Sequence, residues 1–310
     1  MPLRPPRLRA GARIGVVSPS YWIEPERLDR AVGVFEAAGY ELVIGPSVTA
    51  RQHKFAGTPE ERAADIMAMF EDSAIDAILC ARGGYGGNRV LPLLDYDAIR
   101  RHPKIFVGFS DVTGFLASMA QRSGLVTFHG PMLTTWGRET IDYNLQTFER
   151  VLSGQDGIRV ESAPECRARV LRPGVASGPL WGGNLSLVEE RLGTPGQIDT
   201  RGAVLMVEEI DERLHALDRM MQHLRSAGSL QGIAGLVIGE LLEMKDTDEP
   251  FGKTAEEIVL DACAGYDFPI VANFPCGHGA CQATLPYAHP VEIHAVGDSP
   301  SILIPEAPVV

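Results

Sequence analysis

Short apolar runs alternate with amphipathic helical stretches through the first half of the chain. Apolar residues recur three to four positions apart over residues 25–38 and again from residue 59, the spacing of a helix with one buried face. Continuous apolar strands separated by such helices predict a parallel sheet covered on both faces. The strand candidates are residues 13–17, 41–44, 75–81 and 105–109.

The second half of the chain has a different pattern. Clear periodicity is lost over about residues 154–177, which contain Pro164 and Pro173, so we expect a boundary between domains there. Beyond it, strands are predicted at residues 202–209, 235–239 and 269–274, with helices at 185–192, 214–224 and 254–263. The expected organisation is an α/β domain over residues 1–155, a linker over 156–176 and a second domain over 177–310.

Polar segments that contain Ser18, Arg82-Gly83-Gly84 and Ser110 follow three of the predicted strands. Functional groups in parallel sheets collect in loops at the carboxyl ends of strands, so we expect these segments to lie together. Ser110 follows Gly108-Phe109 and directly precedes a helical pattern. A serine at such a corner is held in a tight turn, with its hydroxyl exposed beside the first N–H groups of the helix. The pattern is that of a nucleophile elbow, with Val112 in place of the second glycine.

Composition and charge serve mainly to exclude classes of partner. The 310 residues, 45% hydrophobic and 22% charged, suit a globular protein of one large or two ordinary domains. The formal net charge of −12 argues against nucleic acid or an anionic membrane as the main partner. No apolar run has the length of a membrane span and no signal-peptide pattern is present, so a cytoplasmic location is expected. Five scattered cysteines suit reduced thiols in that compartment.

A serine nucleophile needs a histidine base and a carboxylate that orients it. Two of the eight histidines, His129 and His278, follow apolar strands and adjoin glycine. His278 is the stronger candidate because glycine on both sides lets the backbone bend and leaves the ring unobstructed. For the acid, Glu208 and Glu209 directly follow four apolar residues. Alternation along a strand puts them on opposite faces, and spacing alone does not choose between them.

Two other site chemistries are disfavoured. The loop at residues 82–87 has neither G-x-G-x-x-G nor the Lys-Ser/Thr pair of a phosphate-binding loop. Its glycines instead suit the close approach of a backbone N–H to the Ser110 hydroxyl. Cys276, His278 and Cys281 have the spacing C-x-H-x2-C, but structural zinc usually has ligand pairs at two separated positions. We therefore expect neither a metal nor a cofactor.

With these residues assembled, the chain resembles the LD-carboxypeptidase family of serine peptidases, which includes the microcin C self-immunity hydrolases. The matching segments include Ala81-Arg-Gly-Gly-Tyr-Gly, Lys104-Ile-Phe-Val-Gly-Phe-Ser-Asp, Trp181-Gly-Gly-Asn-Leu, Leu205-Met-Val-Glu-Glu and Cys276-Gly-His-Gly. The resemblance implies Ser110 as nucleophile, Glu208 as orienting acid and His278 as general base. It also implies an oxyanion hole made by the N–H groups of Gly83 and Asp111. The implied fold is an α/β domain like that of class I glutamine amidotransferases, followed by a smaller β-rich domain, in a homodimer.

The implied reaction is hydrolysis of the amide before a C-terminal D-amino acid of a murein tetrapeptide, through an acyl-enzyme. One alternative is an immunity-type hydrolase of peptidyl or aminoacyl sulfamoyl-adenylates, with Trp136 or Trp181 stacked on adenine. Another is a non-catalytic binding protein of the same fold. Departures from the family pattern at residues 193–196 and 285–288 bear on pocket shape and therefore on the substrate. The predicted substrate-binding residues are Arg82, Gly84, Tyr85, Trp181 and Asn184.

Overall fold

A computed structural model describes residues 2–136 and 142–310, and the chain divides into two compact units. The first unit comprises Met1–Asp156, Ala283–Ala288 and Glu306–Val310. The second comprises Gly157–Gln282 and His289–Pro305. The expected division differs from this one, because nearly all of residues 156–176 belongs to the second unit and Ala283–Ala288 belongs to the first.

The strands and helices of the described residues are given in chain order. The strands are β1 (Arg13–Val17), β2 (Glu41–Ile44), β3 (Ala77–Cys80), β4 (Ile105–Gly108), β5 (Thr127–His129), β6 (Ile158–Glu161), β7 (Arg169–Arg172), β8 (Gly174–Asn184), β9 (Val204–Ile210), β10 (Gly235–Leu242), β11 (Ile270–Ala272), β12 (Leu285–Tyr287), β13 (Pro290–Ala295) and β14 (Ser301–Ile304). The helices are α1 (Pro25–Ala37), α2 (Pro59–Glu71), α3 (Tyr96–Arg101), α4 (Thr113–Ser123), α5 (Leu133–Trp136), α6 (Asp142–Leu152), α7 (Leu185–Glu189), α8 (Leu214–Ser226) and α9 (Ala255–Ala262).

The described part of the first unit contains a six-stranded sheet in the order β12-β5-β4-β3-β1-β2. All neighbours are parallel except β12, which pairs antiparallel with β5. Strands β3 and β4 are buried along their whole length, as the continuous apolar runs predict. The strand order reverses at β1, which pairs with β2 on one side and β3 on the other. In such sheets ligands bind outside the carboxyl ends of the strands near this reversal.

The described part of the second unit contains an eight-stranded mixed sheet in the order β6-β14-β13-β8-β9-β10-β11-β7. Its centre, from β8 to β11, is parallel, and the outer pairings are antiparallel. The α/β fold with a β-rich second half is therefore confirmed. Strands β6 and β7 lie within the segment expected to be a linker. Both are edge strands that mix charged with apolar residues, so neither produces the apolar run by which strands were recognised.

The cysteines differ from the expectation of reduced thiols. Cys166 and Cys281 form a disulfide across 115 residues of sequence. Cys80, Cys263 and Cys276 are buried thiols. Among the described residues, no helix is both long and apolar enough to span a membrane.

Candidate active site

Ser110 lies where β4 ends and a 3-10 turn, Ser110–Val112, leads into α4. Its φ of 61° is in the left-handed region, which residues other than glycine seldom adopt. A non-glycine residue held there, between a strand and a helix, has the backbone geometry of a nucleophile elbow. The tightness of the corner also explains Gly108, because a Cβ at that position would lie 2.6 Å from the Val112 side chain.

The glycine-rich loop after β3 packs directly against this serine. A Cβ built on Gly83 would lie 3.2 Å from Ser110 Oγ, so only glycine brings the backbone this close. Gly83 O accepts a hydrogen bond of 3.3 Å from the N–H of Tyr21, in the loop after β1. Gly84 has a φ of 117°, and a Cβ there would overlap the Tyr21 ring. The loops after β1, β3 and β4 therefore meet at one edge of the sheet, as the sequence predicts.

The Asp111 carboxylate connects the loops after β1 and β3 through hydrogen bonds. Its Oδ2 accepts hydrogen bonds from the Ser20 hydroxyl and, at 2.8 Å, from the N–H of Gly87. Burial raises the pKa of Asp111, while the two hydrogen bonds and the charge of Arg62 act in the opposite direction. The side chain of Asp111 is thus engaged within the protein, and its backbone N–H belongs to the turn that begins at Ser110.

Arg62 completes this network and was not singled out from the sequence. It is 1% exposed, and its Nη1 donates to Pro19 O at 2.7 Å and to Gly86 O at 3.3 Å. Burial lowers the pKa of Arg62, and the charge of Asp111 opposes that effect. A signal was present in the sequence. Arg62 lies one helical turn before Ile66 on the apolar face of α2, where an unpaired cation would be costly.

In the second unit, Glu208 and His278 form a partly buried pair. Glu208, on β9, is fully buried, and its Oε2 lies 2.8 Å from Nδ1 of His278, in the loop after β11. A carboxylate at Nδ1 fixes the tautomer in which Nε2 carries the lone pair. Glu209 points to the opposite face, as alternation predicts. It accepts hydrogen bonds from Asn184 Nδ2 at 2.9 Å and from the Ser186 N–H at 2.8 Å.

A third carboxylate, Glu240 on β10, lies beside the His278 loop and was also not singled out from the sequence. Its Oε2 accepts a hydrogen bond of 2.9 Å from the N–H of Gly279. Burial raises the pKa of Glu240 and the charge of Glu208 adds to the rise, while the Gly279 N–H and His278 oppose it. A Cβ on Gly279 would overlap the Glu240 carboxylate, and one on Gly277 would lie 3.2 Å from Glu208 Oε2. The glycines on either side of His278 therefore make room for two carboxylates.

The predicted substrate-binding residues differ in how far they are engaged. Arg82 is half-buried, and its Nη1 lies 3.0 Å from Glu24 Oε1 and 3.2 Å from Trp22 O. Tyr85 is 57% exposed, and Trp181 is half-buried on β8. Asn184 is buried, and its Nδ2 donates a hydrogen bond to Glu209 Oε1 at the end of β8.

Three further candidate residues, His129, Trp136 and Cys281, are buried. His129 is fully buried at the end of β5, with its ring centroid 5.9 Å from that of Phe109. Trp136 is buried against Phe35, at 5.3 Å between ring centroids, so it is not available to stack on adenine. Cys281 is bonded to Cys166, so the C-x-H-x2-C ligand set considered for zinc is not formed.

Comparison with known proteins identifies relatives over most of the chain. Residues 14–130 match the family model described as the LD-carboxypeptidase N-terminal domain, and residues 177–293 match that of the C-terminal domain. The probable murein peptide carboxypeptidase of Bacillus subtilis is 34% identical over 285 residues, covering 91% of this chain and 89% of the relative.

Solved structures extend the comparison to the fold. The microcin C7 self-immunity protein MccF in complex with aspartyl sulfamoyl adenosine has a TM-score of 0.92 at 25% identity, with complete coverage of both chains. The muramoyltetrapeptide carboxypeptidase from Oxalobacter formigenes has a TM-score of 0.86 at 28% identity, covering 96% of this chain and 100% of the other. The fold and both sequence halves thus match the same group of proteins.

Proposed function

Because the chain belongs to the LD-carboxypeptidase family, we propose that it hydrolyses the amide before the C-terminal D-amino acid of a murein peptide, with a serine nucleophile. Family membership makes the protein a peptidase. The murein substrate is supported by the relative from Bacillus subtilis and by the muramoyltetrapeptide carboxypeptidase structure. The observation that carries the serine assignment is the left-handed backbone of Ser110 beside the close approach of Gly83.

In the proposed mechanism, Ser110 Oγ attacks the carbonyl carbon of the scissile amide. The N–H groups of Gly83 and Asp111 donate hydrogen bonds to the oxyanion that develops on the carbonyl oxygen. Such donors act in the transition state, and removal of one typically slows the reaction by about 10²–10³-fold. Collapse of the intermediate releases the D-amino acid and leaves an acyl group on Ser110, which water then removes.

We assign the proton transfers to His278. With its Nδ1–H donated to the Glu208 carboxylate, Nε2 is an acceptor suited to the Ser110 proton. The imidazolium that results is stabilised by Glu208 and returns its proton to the leaving amine. In deacylation the same nitrogen accepts a proton from water. The joint action of Ser110 with Glu208 and His278 is part of the proposal and is tested by kinetics below.

The substrate contacts follow from the same assignment. We propose that Arg82, Gly84, Tyr85, Trp181 and Asn184 form the peptide site, and that a small peptide is the only partner the reaction needs besides water. We further propose that the protein acts as a homodimer in the cytoplasm, in the recycling of peptidoglycan fragments, as the family resemblance implies.

A second candidate function is hydrolysis of an aminoacyl sulfamoyl-adenylate. It is favoured by the TM-score of 0.92 to MccF with aspartyl sulfamoyl adenosine, against 0.86 to the carboxypeptidase structure. Of the two tryptophans considered for adenine stacking, only Trp181 has an exposed part.

A panel of substrates separates these functions. The panel contains two peptides that end in L-Lys-D-Ala or L-Lys-L-Ala, and an aminoacyl sulfamoyl adenosine. We expect hydrolysis of the D-terminal peptide alone, and loss of that activity in Ser110→Ala but not in Ser73→Ala, an exposed serine of the same unit. Preferred hydrolysis of the sulfamoyl compound would select the second function. Binding without hydrolysis of any compound would favour a non-catalytic protein.

A further inference from the structure

Basic side chains on aromatic rings surround the loop after β1. We call this group the cationic cluster. It consists of Arg51, Lys54, Arg82 and Arg89 on the rings of Tyr21, Trp22 and Phe55. Lys54 Nζ lies 5.9 Å and Arg82 Cζ 5.7 Å from the centroid of the Tyr21 ring, so two cations share one ring. These distances are within the range of cation–π attraction.

Two more arginines extend the cluster on neighbouring rings. Arg51 Cζ lies 4.6 Å from the centroid of the Trp22 ring, and Arg89 Cζ lies 5.8 Å from that of Phe55. The Tyr21 and Phe55 rings are themselves in edge contact, with centroids 5.9 Å apart. Lys54, Arg82 and Arg89 therefore lie on two rings that contact each other, and Arg51 lies on the ring of Trp22, the next residue after Tyr21.

Backbone contacts hold this surface in place. Tyr21 and Phe55 form an antiparallel bridge, and the N–H of Trp22 donates to Lys54 O at 3.4 Å. The segment that carries Lys54 is thus tied to the loop after β1. Ala56 N–H adds a further hydrogen bond of 3.1 Å to Ser20 O, at the foot of the same loop.

The cationic cluster begins one residue away from the proposed nucleophile. Gly83 touches Ser110, and the same glycine accepts a hydrogen bond from the N–H of Tyr21. Gly84, the next residue, has its Cα against the Tyr21 ring. A ligand that extends from Ser110 along this loop by one residue, about 3.5 Å, therefore approaches Tyr21 and its two cations.

The charge of the cluster is only partly balanced. Arg82 pairs with Glu24 at 3.0 Å, whereas in the described chain no carboxylate oxygen lies within 4.0 Å of a side-chain nitrogen of Arg51, Lys54 or Arg89. The protein as a whole has a formal net charge of −12 and repels anions at long range. A local group of cations beside the reactive serine reverses that field at one place.

We propose that Lys54 and Arg82, which both contact the Tyr21 ring, bind the free C-terminal carboxylate of the substrate, while Arg51 and Arg89 add to the attracting field. This inference rests on the proposed function, because cleavage before a terminal residue puts one carboxylate within a residue of the attacked carbonyl. Arginine presents paired N–H donors to a carboxylate and lysine a compact charge. The aromatic ring does not neutralise Lys54, whereas Arg82 also pairs with Glu24.

The test compares Lys54→Gln with Arg122→Gln, using two peptides that differ only in a free or an amidated C-terminus. Arg122 is a matched control because it is an exposed arginine on a ring, that of Tyr96, at the end of α4 remote from Ser110. We expect Lys54→Gln to raise KM for the free-acid peptide about tenfold, with kcat and the KM for the amidated peptide nearly unchanged. Added salt should raise the free-acid KM of the unaltered protein more than that of Lys54→Gln.

Binding to variants that lack the Ser110 hydroxyl tests the carboxylate site separately from the proposed hydrolysis. Calorimetry with Ser110→Ala and Ser110→Ala/Lys54→Gln measures Kd for the same peptides without turnover. Tighter binding of the free acid that is lost with Lys54 supports the cationic cluster as a carboxylate site, even if neither peptide is hydrolysed and the proposed function fails. Equal acid-to-amide ratios of Kd in the two proteins would overturn the inference, whatever the unaltered protein hydrolyses.

Discussion

Ser110, the proposed nucleophile, has an unfavourable backbone conformation. Its left-handed φ of 61° is a conformation that costs ordinary residues of the order of 1–2 kcal/mol. The surrounding contacts hold it there, between the glycine-rich loop and the first turn of α4. The sequence indicated this corner through Gly-Phe-Ser before a helical pattern, but backbone strain itself leaves no mark on composition or periodicity.

Replacing Ser110 by glycine or by alanine separates strain from chemistry. Both variants lose the hydroxyl, so both should lack activity. Glycine adopts a left-handed φ without steric cost, whereas alanine keeps the Cβ. We therefore expect Ser110→Gly to be more stable than Ser110→Ala by about 1 kcal/mol in urea unfolding. Equal stabilities of the two variants would show that Ser110 is not strained.

Adjacent glutamates on β9 provide a matched pair for the proposed orienting acid. Glu208→Gln should lower kcat by about 10²–10⁴-fold with little change in KM, because the amide no longer fixes the productive tautomer of His278. Glu209→Gln should keep kcat within a few-fold, since Glu209 lies on the other face with Asn184 and Ser186. Steady-state kinetics of both variants measure these changes. A larger fall in kcat for Glu209→Gln than for Glu208→Gln would contradict the assignment of Glu208.

Glu240 should make stability depend on pH in a definite direction. Burial raises its pKa above the ordinary value of 4.5, so protonation favours the folded state. That contribution is complete below pH 4.5 and is lost as the pH rises through the raised pKa. Glu240→Gln imitates the protonated group and keeps an acceptor for the Gly279 N–H. Its stability relative to the unaltered protein should therefore increase between pH 4 and pH 8.

The control for this experiment is Glu249→Gln, an exposed glutamate of the same unit. Urea midpoints at several pH values give the difference between each variant and the unaltered protein. A difference for Glu240→Gln that stays constant or falls with rising pH would contradict the raised pKa.

At the scale of secondary structure, the Arg62–Asp111 network unites helix α2 with the loops after β1, β3 and β4. Each loop alone would be free to move, because loops carry few packing contacts of their own. The buried arginine binds the carbonyls of Pro19 and Gly86, and the buried aspartate binds Ser20 and Gly87. This arrangement keeps Gly83 against Ser110.

Removal of both Arg62 and Asp111 should cost less stability than the sum of the two single removals. Arg62→Met removes the charge that acts on Asp111 and the donors to the carbonyls of Pro19 and Gly86, and we expect a loss of about 1–3 kcal/mol in the free energy of unfolding. Arg62→Met/Asp111→Asn should be less destabilised than the sum of its single variants, because the amide carries no charge. A double-mutant cycle by urea unfolding measures the coupling. Strictly additive losses of unfolding free energy would contradict an interaction between Arg62 and Asp111.

The sequence predicted the central elements better than the edges. Strands β1, β3 and β4 are continuous apolar runs because both faces of the parallel sheet are covered, and α2 begins at the Thr58–Glu61 capping box. Strands β6 and β7 are short edge strands whose polar positions conceal them. Of the site, the positions of Ser110, Gly83, Glu208 and His278 in their loops and strands followed from spacing and resemblance. Glu240 and the cationic cluster did not, because they depend on contacts between distant segments.

At the scale of the whole molecule, the chain passes between its two units more than once. Ala283–Ala288 and Glu306–Val310 belong to the first unit although they follow most of the second in sequence. Strand β12 pairs with β5 there, and Arg4 binds Ala307 O at 3.0 Å. The disulfide between Cys166 and Cys281 lies wholly within the second unit, three residues from His278. No local sequence pattern announces a pairing over 115 residues, so it was not expected.

We propose that Ser110 is a nucleophile activated by His278. The most direct measurement is reaction of the whole protein with a fluorophosphonate, followed by mass spectrometry of the digested chain. We expect a single adduct on Ser110, formed at least about 100-fold more slowly in His278→Ala than in the unaltered protein. Two results would contradict this assignment: an unmodified Ser110 in a preparation that hydrolyses the peptide, or a labelling rate that is the same in His278→Ala and the unaltered protein.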